Sequence, residues 1–94
     1  MSEWVFAQSN LTQQLARLHY FSTKKLQNGQ EIEFLITVRE YITPPDPSMK
    51  FFASTDKQTN QRVSAYTPSG WGDSMLKALS ECLSSIERFP YEGD

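Results

Sequence analysis

A few side chains in this 94-residue chain are of types that do chemistry. His19 is the single histidine and Cys82 the single cysteine, so an imidazole-based dyad has one base to draw on, and a zinc site would run out of ligands. With no nucleophile at motif spacing beside it, His19 reads as an ordinary surface residue of a helix or strand. Glu31, Glu33 and Glu40 are carboxylates suited to acid–base work, but Glu31 and Glu33 alternate onto the solvent side of one strand and read as solvated charges. The expectation is no catalytic residue, no metal site and no cofactor.

The run Gly70-Trp71-Gly72-Asp73-Ser74 is the other candidate. Two glycines before a helix suit a phosphate cradle, because free amides at a helix N-terminus attract anions. Asp73 already places a carboxylate there, so helix capping is the role expected of it. Trp71, held between glycines, is either a lid over the seam between sheet and helix or an exposed anchor for a partner, the lid being preferred.

Charge limits the choice of partner. A formal charge of −2 and a pI near 5.3 disfavour nucleic acid as the partner, since phosphate binding needs a basic face to displace counterions. Lys50, Lys57, Arg62 and Lys77 nonetheless outnumber Asp56 and Asp73 over residues 50–77, whereas residues 78–94 are acidic. With Arg39, these four cations form the alternative nucleic-acid surface.

The elements that must position these groups follow from length and pattern. Ninety-four residues at 38% hydrophobic and 13% aromatic content predict a single domain over 1–94, with termini fraying at about 1–3 and 90–94. A lone cysteine argues against a disulfide framework and suggests a buried thiol in a reducing compartment. No stretch approaches the roughly 20 apolar residues of a bilayer span. Met1-Ser2-Glu3-Trp4 lacks the start of a secretory signal, so no membrane association is expected and the cytoplasm is the expected location.

Leu11, Leu15 and Leu18 at helical spacing, with Asn10 and Gln13 as a capping box, predict a first helix near 10–21. Tyr20-Phe21-Ser22-Thr23 favours strand, and Asn28-Gly29 is a strong hairpin signal. Residues 20–27 therefore either continue the helix or form an extra strand folded back on the next one. From Glu31 to Ile42, Ile32, Phe34, Ile36 and Val38 alternate with polar residues as in a half-buried strand. Three prolines among Thr43–Ser48 stop it. Met49–Thr55 and Arg62–Thr67 read as the next two strands, with Pro68-Ser69-Gly70 as a break. The last helix is the clearest element: Met75, Leu76, Leu79, Cys82, Leu83, Ile86 and Phe89 share one side.

The expected fold class is α+β, ordered helix, three-stranded antiparallel sheet, helix (α-β-β-β-α), with both helices on one sheet face and the extra strand near 20–27 as a variant. That order resembles the double-stranded RNA-binding-domain-like fold. The junction Gly70-Trp71-Gly72-Asp73-Ser74, continuing Met75-Leu76-Lys77-Ala78-Leu79, is similar to that of the HicB-like antitoxins, where Gly-Asp-Ser/Thr opens a helix rich in Ala and Leu. The first resemblance implies phosphate contacts at the start of the last helix, where Lys77 stands. The second implies inhibition of a protein partner.

Phe51-Phe52 points one phenyl to each sheet face. If Phe51 is core, then Phe52, with Leu35 and Tyr66, forms an apolar surface on the face that carries no helix, and these three with Trp71 are the expected partner-binding residues. The function expected is that of a small non-catalytic binding module, working through a protein partner or a homodimer on this open face.

Overall fold

The computed structural model describes residues 14–93. The chain runs β1 (Ala16–Gln27), β2 (Gln30–Tyr41), a 3-10 turn (Pro47–Met49), β3 (Phe51–Thr55), β4 (Ser69–Gly72) and α1 (Met75–Arg88). The strands form one antiparallel meander in the order β1-β2-β3-β4. The fold is thus α+β, with β-β-β-β-α order among the described residues in place of the expected α-β-β-β-α.

The first departure is the N-terminal helix. Residues 16–21 are strand, and residues 10–13 of the expected helix lie outside the described residues. Asn28 and Gly29, at φ of 52° and 78°, make the two-residue turn whose twist suits a hairpin, and β1 then pairs with β2 from Gln27↔Gln30 to Ala16↔Tyr41. The Leu15 and Leu18 spacing matches a helix, but this continuous ladder prevails over that weak local preference. The extra strand allowed for at 20–27 is present, and it starts earlier, at Ala16.

The second departure lies between β3 and α1. Arg62–Thr67 is not a strand: Asn60, at φ 55°, accepts backbone bonds from Val63 and Ser64 in a turn, and only an isolated Thr59↔Tyr66 bridge closes the loop. The strand falls on Ser69–Gly72, where the Pro-Ser-Gly composition suggests a break. Glycine is needed there because α1 lies directly on β4. A Cβ at Gly70 would stand 2.5 Å from Ala78 O, and one at Gly72 would stand 2.8 Å from Ala78 N.

The core lies between α1 and one face of the sheet. Phe34, Ile36 and Val38 of β2 and Phe51 and Ala53 of β3 meet Ala78, Cys82 and Ile86 of α1. Each large apolar side chain buried in this way contributes roughly 1.5–3 kcal/mol. Ser74 is the N-cap, its hydroxyl accepting from Lys77 N at 3.2 Å, so capping falls to Ser74 and not to Asp73. At the other end Lys25 reaches over from β1, and its ammonium donates to Ile86 O at 3.0 Å and Phe89 O at 2.9 Å. It satisfies carbonyls that every helix leaves orphaned at its C-terminus. The segment after α1, expected to fray, is tied down through residue 92: Tyr91 lies edge-on to Phe34, and Glu92 N donates to Gln61 Oε1 at 2.9 Å.

Candidate functional site

The strand register decides which residues share the face without a helix. Leu18, Arg39, Phe52 and Trp71 stand side by side across the four strands. Next to that row lies Tyr20-Thr37-Ser54-Ser69, with Ala16-Tyr41 on one side and Ser22-Leu35 on the other. Because side chains alternate, all of these point away from α1.

Aromatic rings form the centre of this face. The Phe52 and Trp71 rings lie 4.4 Å apart between centroids, tilted by 39°, and Tyr41 stacks on Trp71 at 6.2 Å and 20°. Trp71 is 36% exposed, Leu35 50% and Tyr20 70%, so the cluster is ordered by its own contacts and still open to solvent. Trp71 is therefore not a lid over the helix seam. The two flanking glycines face α1, and alternation turns the indole to the opposite side.

Phe52 and Trp71 are thus in contact, while Leu35 lies on the same face four residues along β2 from Arg39, the Phe52 partner, with Thr37 and Ser54 between. Tyr66 is not with them: it lies in the β3–β4 loop, its ring 5.2 Å from Phe89 and its hydroxyl 3.4 Å from Arg88 Nη1, at the end of α1. Its expected place depended on a strand over 62–67 that does not form. Leu18, Tyr20 and Tyr41 are members that the sequence reading did not select. The alternation Leu18-His19-Tyr20-Phe21 was the available signal for two of them, hidden by the competing helical spacing.

The five cations of the alternative surface are dispersed. Arg39 sits on the open face between Leu18 and Phe52. Lys50 and Lys57 stand beyond opposite ends of β3, Lys50 over the Phe51 ring at 5.7 Å and Lys57 paired with Asp56 at 3.2 Å. Arg62 is in the loop, its backbone N–H donating to Glu92 Oε1 at 2.7 Å, and Lys77 of α1 pairs at 3.1 Å with Asp73, just before the helix. No continuous basic track joins them.

No match is found among protein-family models, curated proteins or solved structures.

The remaining candidates are each engaged with neighbouring groups. His19 lies on the α1 side of β1, its Nε2 3.0 Å from Glu40 Oε1. Glu33 accepts from Ser22 Oγ at 2.6 Å on the open face. Cys82 is fully buried on the sheet-facing side of α1 and donates weakly to Pro68 O at 3.8 Å; burial pushes its thiol up to about 11. No three His, Cys, Asp or Glu side chains among the described residues are grouped to hold a metal, and no helix there is long and apolar enough to cross a membrane.

Proposed function

We propose that the protein is a small non-catalytic binding module whose open sheet face associates with another protein surface, a second copy of itself included. The observation that carries this reading is the Tyr41-Trp71-Phe52 cluster, flanked by Leu18, Tyr20 and Leu35 on the side opposite the helix. A helix already covers one face and supplies the core, so folding does not require aromatic rings on the other. Exposed aromatic surface of this kind, a tryptophan included, is characteristic of protein interfaces. The charges on this face, Lys24 and Arg39 against Glu31 and Glu33, balance, which suits a protein partner better than a polyanion. The resemblance of the α1 junction to HicB-like antitoxins points to the same class of activity, occupation of a partner protein's surface.

The test is sedimentation and partner pull-down with the native chain and a Phe52→Asp variant. A charge in the centre of the face is expected to abolish association through that face and the capture of its partners. A dilute monomer whose mass and captured partners are unchanged by the substitution would remove the proposal.

One observation favours a second reading. Arg39 lies beside Phe52, whose ring in turn meets Trp71, so a cation stands next to rings on which single-stranded bases can stack. Titration with single strands and duplex RNA at low and moderate salt decides it, because phosphate contacts predict a steep loss of affinity with salt. Absence of binding at low salt retires it.

A further inference from the structure

β1 is the longer of the two edges of the sheet, and among the described residues no strand pairs with its outer side. The Asn28-Gly29 turn makes Gln27↔Gln30 a hydrogen-bonded pair, and Ile42 N donates to Leu15 O at 3.0 Å at the far end. The odd-numbered residues of β1 therefore direct their backbone groups to β2. Those of Leu18, Tyr20, Ser22, Lys24 and Leu26 point out of the sheet. Long edges are normally blunted by proline, bulges or brevity. β1 has 12 residues, no proline and an uninterrupted register, whereas the opposite edge, β4, has 4, and Ser85 Oγ caps Ser69 O there at 3.0 Å.

We propose that this edge is a self-association site, where β1 of a second copy pairs antiparallel with it about a two-fold axis through Ser22. The sequence of β1 is self-complementary in that register. Tyr20 stands opposite Lys24 of the second copy, a ring beside an ammonium, and Leu18 stands opposite Leu26. These leucines are 46% and 73% exposed in the single chain, so the pairing shields apolar surface of both from water. On the α1 side Phe21 meets Thr23, and a cleft of about 340 Å3 between β1 and α1, lined by Thr23, Lys25, Leu83 and Ile86 among others, gains a neighbour.

No like charges oppose each other across the axis. Lys24 and Arg17 lie opposite Glu33 and Glu40 on β2, and the Lys25 ammonium is held by the carbonyls of Ile86 and Phe89. Moving the axis to Tyr20 takes Leu26 out of the paired region, and moving it to Lys24 sets that ammonium against its own copy. The axis at Ser22 avoids both. This site goes beyond the open-face reading, because the edge lies at right angles to the face and both can be occupied at once.

Sedimentation velocity across a concentration series tests it with three chains. The native chain is expected to dimerise reversibly. Ser22→Pro deletes an outward N–H and no β1–β2 bond, so it is expected to keep the far-UV spectrum and weaken the dimer by about tenfold or more. Phe52→Asp, on the face and two strands in from the edge, is expected to dimerise like the native chain. A native chain that stays monomeric, or a dimer lost in Phe52→Asp and kept in Ser22→Pro, overturns the proposal; the latter result would leave the open-face reading standing.

Should Ser22→Pro fail to fold, cross-linking decides. The Cα atoms of a hydrogen-bonded antiparallel pair are about 5.5 Å apart, within disulfide reach, so Ser22→Cys is expected to form a covalent dimer on mild oxidation. Lys24→Cys, about 14 Å from its own copy at the rise of a strand, is not. Cys82, buried at 0% exposure, stays silent in both. Equal cross-linking of the two variants, or none in either, contradicts the register.

Discussion

Gln27 and Tyr91 exchange two hydrogen bonds: Gln27 Nε2 donates to Tyr91 O at 2.6 Å, and Tyr91 N donates to Gln27 Oε1 at 2.9 Å. A side-chain amide here does what a backbone amide does in a ladder, and it fastens the segment after α1 to the end of the β1–β2 hairpin. Gln27→Ala is expected to cost about 1–2 kcal/mol, since both bonds go at once and Tyr91 loses the partner that holds its ring against Phe34. Urea unfolding of the two chains measures it, and an unchanged midpoint would show that the segment contributes nothing to stability.

Lys25 makes a similar tie with a charge. Its ammonium donates to two carbonyls at the C-terminus of α1, where a cation also meets the favourable end of the helix dipole. Lys25→Met keeps most of the apolar stem and removes the donor. The expected loss is about 1–3 kcal/mol in the same unfolding measurement, with earlier exchange of the last amides of α1.

Gly70 and Gly29 separate two reasons for glycine. At Gly70 an added Cβ would meet Ala78 O at 2.5 Å and Cys82 N at 2.7 Å, so Gly70→Ala must push α1 off β4 and is expected to cost about 3 kcal/mol or more, or to prevent folding. At Gly29 nothing lies within 4 Å and only the φ of 78° resists substitution, so Gly29→Ala is expected to cost about 1 kcal/mol. Similar melting temperatures for the two variants would contradict the close approach of α1 to β4.

Those positions also show what was legible in the sequence. The amphipathic pattern of Met75–Arg88 and the alternation of Ile32, Phe34, Ile36 and Val38 each encode their element locally, and both stand in the structure. β1 was only half legible, because Leu15 and Leu18 fit a helix while Tyr20–Thr23 fit a strand, and the choice depends on pairing with residues far along the chain. β4 was illegible for a physical reason: its glycines serve the helix packed on them, and in isolation they look like a break. The open face followed the same division. Leu35 and Phe52 were found by alternation, Trp71 was placed on its correct side only by the β3–β4 register, and Tyr66 was misplaced along with the strand that was to carry it.

Burial of Cys82 predicts a pH dependence. The folded chain raises the thiol from 9.0 to about 11, so it holds the proton more tightly than the unfolded chain does. The stabilising contribution is complete below the unfolded value of 9.0 and is lost as pH rises through about 11. Cys82→Ala is therefore expected to show a shallower decline of stability over that window. In the native chain the thiol is expected to stay inert to thiol reagents near neutral pH until the chain unfolds; rapid labelling of the folded chain would contradict its burial.

The central claim is that the aromatic side of the sheet is covered when the protein works, and Trp71 reports on it directly. In a Trp4→Phe chain the only indole is Trp71, 36% exposed in the single molecule. Acrylamide quenching of its fluorescence, followed as the protein is concentrated and as each captured protein partner is added, is predicted to fall severalfold with a shift of emission to shorter wavelength. Quenching that stays at the level of the dilute chain, under every one of these conditions, would contradict the account.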